Sequence, residues 1–234
     1  MTTSGTTAFN MDLTELVEEA FERVGAELRT GYDLRTARRS LNLLFADWAN
    51  RGINMWTFEQ GTIPLVAGTA TYDLPADTVD LMEHVIRTGA GSASTQADLN
   101  ITRISVSTYA TIPNKLQQAR PIQVWIERLQ PNPRITVWPV PDNTTTYTFV
   151  YWRLKRIDDA GTGVNTMDVP FRFLNCMVAG LAYYLALKVP NGIQRLEMLK
   201  AQYDEAWDLA STEDREKAAV RFVPRHMFIG GGGG

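Results

Sequence analysis

The stretch IQVWIERLQPNPRITVWPVPDNTTTYTFVYWR, residues 122–153, decides the class of fold. Ile122, Val124 and Ile126 alternate with Gln123, Trp125 and Glu127, the period of two of a half-buried strand. Pro131, Asn132 and Pro133 supply turn chemistry, and two further β-rich runs, 135–138 and 146–154, return alongside. The last run is apolar on both sides, with Tyr147, Phe149 and Tyr151 on one and Val150, Trp152 and Leu154 on the other. A strand of that kind must be covered on both faces.

On the C-terminal side the period changes. A loop over 158–167 leads to Pro170, a residue suited to the first turn of a helix. Leu174, Met177, Val178, Leu181, Tyr184 and Leu185 then form a stripe, and Phe173, Ala179, Ala182 and Leu187 fill much of the rest, which predicts a buried central helix. Pro190, Asn191 and Gly192 end it, and a last helix carrying Leu196, Leu199, Tyr203, Ala206, Trp207 and Ala210 is expected to pack back on it.

On the N-terminal side, Leu13, Leu16, Val17, Ala20, Phe21 and Val24 predict an amphipathic helix, with Asp12 and Glu15 spaced as a capping box and Gly25 near its end. A second helix from about Asp33 carries Leu34, Ala37, Leu41, Leu44, Phe45 and Trp48 and should stop at Gly52, forming a helical hairpin with the first. Short β-like runs follow. Residues 56–64 and 72–75, around Ala67-Gly68-Thr69, read as a hairpin, and 82–87 as a further strand. The small polar run GAGSASTQAD at 89–98 reads as a mobile loop, 99–104 as one strand and 105–111 as a short turn of helix.

These elements predict an α+β fold: an antiparallel helical core of about four main helices, from 12–52 and 170–212, with a β-rich region inserted at about 55–156. Residues 1–11 read as a flexible lead, 12–212 as one domain and 213–234 as a C-terminal extension. That extension is apolar and basic in Val220, Arg221, Phe222, Val223, Pro224, Arg225 and Phe228, without the spacing to return to a core.

Composition narrows the function. A 44% hydrophobic, 21% charged chain is globular, and a net charge of −3 gives no broad basic surface for gripping phosphates. One cysteine, Cys176, excludes an internal disulfide, and two histidines, His84 and His226, exclude a histidine-rich metal site. The apolar run over 173–189 is shorter than the roughly 20 residues of a bilayer span, so no membrane span is expected. The start MTTSGTTAFNMD lacks the basic and apolar parts of a secretory signal, and export by that route is not expected.

No phosphate loop, HExxH, nucleophile elbow or CxxC occurs, and no cofactor is expected. Asp73, Asp77, Asp80 and Glu83 are the nearest thing to an acid/base pair, although carboxylates after a strand usually cap turns. Trp125, Trp138, Trp152 and Tyr151 offer a sugar-binding platform, against the commoner role of strand aromatics in a core or interface. The first helix is acidic outside (Glu15, Glu18, Glu19, Glu22), while the second begins with Arg35, Arg38 and Arg39. Mutual pairing or a solvated face is the plain reading; the sharper one is that these faces meet across subunits.

The order of elements resembles the podovirus head-to-tail adaptor, or tail tubular protein, family. The pieces are LNLLFADWANRGINMWTFEQ at 41–60, TATYDLP at 69–75, LNITRISVSTYA at 99–110, the stretch at 122–153 with its WPVP, and VPFRFLNCMVAGLAYYLA at 169–186. Each is a structural fingerprint rather than a catalytic one, and specificity lies in their order. The resemblance covers about 12–210. It implies a non-enzymatic virion protein made in the bacterial host cytoplasm, assembled as a ring of about twelve copies beneath the portal protein. It also implies tail nozzle or tail fibre proteins on the other side, DNA only in transit through the channel, and a C-terminal extension that grips the portal. A net charge of −3 repeated around such a ring suits DNA that slides rather than sticks. The rival readings are a carbohydrate-binding or host-recognition module of a virion and a cell-wall hydrolase.

Overall fold

The structure is a computed structural model and describes residues 4–7, 9–29, 31–51, 55–190 and 192–214. It is mixed α+β, with five α-helices and two four-stranded sheets among the described residues. Helix α1 (Leu13–Val24) buries Leu13, Leu16, Val17, Ala20, Phe21 and Val24, the six positions of the sequence stripe. It ends at Gly25, whose φ of 85° is the left-handed conformation that glycine adopts without strain. Helix α2 (Gly31–Arg51) begins two residues before Asp33, and its expected stop at Gly52 lies outside the described residues.

The hub of the helical part is α4 (Leu174–Ala186), which touches α1, α2 and α5 (Leu196–Glu213). Ten of its side-chain positions are buried, because an unbroken apolar surface needs cover all round. Helices α1 and α2 touch each other as well, yet α1 rests mainly on α4. The hairpin expected of the two is thus completed by the central helix. Trp48 is fully buried here, its ring 5.5 Å from Phe173 and 5.4 Å from Trp207, and its Nε1 donates to the Tyr203 hydroxyl at 2.9 Å.

The strands of the described residues all lie between α2 and α4 in the chain. One sheet runs β1 (Phe58–Pro64), β8 (Tyr147–Lys155), β3 (Thr78–Thr88), β4 (Ala97–Asn100); the other runs β2 (Thr71–Asp73), β7 (Arg134–Trp138), β6 (Gln123–Glu127), β5 (Thr102–Ile104). Every pairing is antiparallel except β5 with β6. Leu81 and Ile86 of β3, Phe149 and Tyr151 of β8, Val124 of β6 and Ile135 and Val137 of β7 share one apolar cluster between the sheets. Val150 and Leu154, on the other face of β8, are buried too, as a strand with two apolar faces requires.

Three expectations are corrected. Residues 56–75 are not a hairpin: β1 pairs with β8 and β2 with β7, so the turn after Leu65, with Gly68 at φ 79°, carries the chain from one sheet to the other. Residues 99–104 are not one strand, because the chain changes sheets at Ile101 between β4 and β5. The run at 89–98 is not all loop: Ala97 and Asp98 belong to β4, and the rest is a hydrogen-bonded connection from β3. Ser92 and Gln96 donate their N–H groups to Gly89 and Ser92, and Arg87 grips Asp98 through two bonds of 2.7 and 2.8 Å. Its small polar residues satisfy one another locally, which a reading based on burial alone overlooks. The short helix foreseen over 105–111 is present as α3 (Val106–Ala110), capped by the Ser105 hydroxyl.

Candidate interaction surfaces

The carboxylates that might have done chemistry are held by arginines. Asp73 pairs with Arg134 at 2.9 Å, Asp77 with Arg153 at 2.5 Å, and Asp80 with Arg103 at 3.1 Å and Arg128 at 2.5 Å. The Arg153 hydrogen bond holds the Asp77 carboxyl below the usual carboxylate range. At Asp80 burial pushes upward, but the Leu81 N–H and the two guanidiniums outweigh it and leave the pKa low. A general acid needs the opposite, a carboxyl kept protonated. Asp80 ties β3 of one sheet to Arg103 of β5 in the other. Glu83 is exposed.

The aromatics do not make one platform. Trp125 and Trp138 share a face of the second sheet, where Tyr109 stacks on Trp125 at 5.0 Å and Trp138 donates to the Asn114 carbonyl at 3.0 Å. Tyr151 and Trp152 belong to the first sheet, point to opposite sides of β8, and Tyr151 is buried. Burial pushes the Cys176 thiol up to about 12, which removes it as a nucleophile at neutral pH. Among the described residues no three His, Cys, Asp or Glu side chains are grouped to hold a metal ion, and no helix is long and apolar enough to cross a membrane.

The charged helix faces remain. In α1 the Asp12 side chain accepts the Glu15 N–H at 2.9 Å and the Glu15 carboxylate accepts the Asp12 N–H at 3.2 Å, completing the capping box. Glu18 and Glu22 are exposed one and two turns further on, beside Phe9, which is 67% exposed. In α2, Arg35 donates to the Gly31 carbonyl at 3.3 Å and Arg38 to the Gly161 carbonyl at 3.0 Å. Arg39 is exposed. Among the described residues no ion pair joins a glutamate of α1 to an arginine of α2.

Sequence reasoning missed Arg153. It is 8% exposed in its side chain, donates to Glu59, Asp77 and Thr78, and clamps β8 to β1 and the start of β3. The signal was available as an arginine between apolar neighbours, Trp152 and Leu154, whose charge must be paired if buried. Val220, Arg221, Phe222, Val223, Pro224, Arg225 and Phe228 lie outside the described residues. The chain is anchored up to Asp214, which is buried and ion-paired with Arg172.

The model of the SU10 adaptor protein family matches residues 11–225. The chain belongs to that family. It is a family of phage head-to-tail adaptors, structural components of the virion neck that interact with portal and tail proteins. No curated protein matches the chain. The match runs eleven positions past Asp214, so six of the seven residues singled out in the C-terminal extension fall within the family's own extent.

Proposed function

We propose that this adaptor assembles as a ring of about twelve copies beneath the portal, extends the DNA channel and anchors tail nozzle or tail fibre components, without catalysing a reaction. The observation that carries the reading is the family match over 11–225, nearly the whole chain. Residues 12–212 act as one adaptor domain, 1–11 as its lead and 213–234 as the extension. Glu15, Glu18 and Glu22 on α1 and Arg35, Arg38 and Arg39 on α2 serve contacts between copies. Their support is that they do not pair across the two helices within one chain.

The extension grips the portal through Val220, Phe222, Val223 and Phe228 as apolar anchors. Arg221 and Arg225 flank Pro224, which favours an extended docking segment and suits an acidic groove. Ordering such a segment costs roughly 1 to 2 kcal/mol per residue in backbone entropy, and repetition around a ring multiplies each weak contact. The reading places production in the bacterial host cytoplasm and the finished protein in the virion neck.

Deleting Arg215 to Gly234 tests the grip. The truncated protein is expected to stay folded, because Asp214 and α5 are retained, and to lose binding to the cognate portal. Portal binding by the truncated protein at the same concentration as the full chain would contradict it.

A further inference from the structure

Resting on the ring reading, the question is which two faces of neighbouring copies meet. A closed ring built head to tail needs two different, mutually complementary surfaces on each subunit. One is the acidic ridge of α1, where Glu18 and Glu22 stand exposed beside the protruding ring of Phe9. The other lies where the start of α2 meets the end of α4. There a hollow of about 300 Å³ has an apolar wall of Phe21, Leu185 and Val189, and Tyr32, Arg39 and Lys188 line it as well. The two surfaces share no residue.

Two cations, Arg39 and Lys188, stand at that hollow. Among the described residues neither Arg39 nor Lys188 forms an ion pair, and Lys188 spends one donor on the Ser40 hydroxyl at 2.6 Å. Asp33 also lines the hollow; its carboxylate accepts the Arg29 N–H at 3.3 Å and keeps its charge. Burial first, and the nearby charge of Arg39 second, hold the Lys188 pKa below its ordinary value, which a nearby anion would relieve. Arg35 and Arg38 each give one N–H to a backbone carbonyl, and Arg39 is the one of the three arginines that lines the hollow.

We infer that the hollow lined by Arg39, Lys188 and Tyr32 receives the α1 ridge of a second copy of this chain, with Phe9 against its apolar wall and Glu18 and Glu22 against its cations. The pairing joins an exposed aromatic to an apolar hollow and two anions to two cations that form no ion pair among the described residues, the combination that gives both burial and register at an interface.

Two charge-reversed proteins test it: one with Glu18→Lys and Glu22→Lys, the other with Arg39→Glu and Lys188→Glu. Each alone is expected to fail to form a ring on the cognate portal at a concentration where the unaltered chain saturates it. An equimolar mixture should assemble, because every contact between alternating copies again joins opposite charges. Rings formed by either variant alone, or no ring from the mixture, overturn the pairing. A second measurement keeps the chain nearly intact: Glu18→Cys in one preparation and Arg39→Cys in another, mixed, assembled and oxidised. Covalent dimers of one copy of each are expected, and their absence overturns the pairing even if the reversed chains fold poorly. Should the unaltered chain form no ring on the portal, the ring reading itself fails, and with it the pairing.

Discussion

Trp48 sits where four aromatic rings converge and its one polar atom finds the Tyr203 hydroxyl, so size and hydrogen bond are both used. Trp48→Phe keeps most of the volume but leaves that buried hydroxyl without its donor. It should cost about 1–3 kcal/mol in denaturant unfolding, and Trp48→Ala about 3–5. His84 is the opposite case. Its ring stacks on Phe149 at 6.0 Å, and both its nitrogens are buried with no hydrogen-bond partner among the described residues. Burial holds its pKa below the ordinary 6.5, and the repulsion of Arg103 adds to this while Glu83 opposes it. The unfolded chain therefore takes up the proton first, and folding stability falls as pH drops below about 6.5, the loss ceasing to grow once the folded pKa is passed. His84→Phe should flatten that limb in thermal melts taken between pH 7 and 5; an unchanged slope would refute the assignment.

Among the elements, α1 was legible in full, because a six-residue stripe, a capping box and a glycine stop are all local signals. Asp12→Ala removes one side of the box and should lower stability by about 1 kcal/mol in urea unfolding, with α1 the first region to lose amide protection. The sheets were half legible. Alternation at Val124 and Ile126 marked strands, but nothing in 56–75 states that β1 and β2 pair with partners some 90 and 60 residues away in two different sheets. Arg153 holds that long-range pairing by clamping β8 to Glu59 and Asp77. Arg153→Met should lower the melting temperature. It should also abolish the acid sensitivity that comes from Asp77, a stabilisation present above the ordinary value of 3.8 and lost as pH falls through the lower folded pKa. This limb lies well below that of His84, so one pH series separates the two.

At the scale of the whole molecule, the candidate surfaces were named from charge alone, and the structure sharpens them unevenly. Among the described residues Glu18 and Glu22 form no ion pair, whereas Arg35 and Arg38 are turned to backbone carbonyls, a distinction that no spacing rule carries. Lys188 and Tyr32 escaped the sequence reading because they are far apart in the chain and meet only when α2 packs on α4. The adaptor role rests on contact rather than chemistry, and contact is counted by mass. Native mass spectrometry of the cognate portal with and without this protein is the most direct test. The account predicts that the portal complex gains the mass of a closed ring, twelve copies on a twelve-fold portal; a portal whose mass is unchanged by an excess of the folded full-length chain would contradict it.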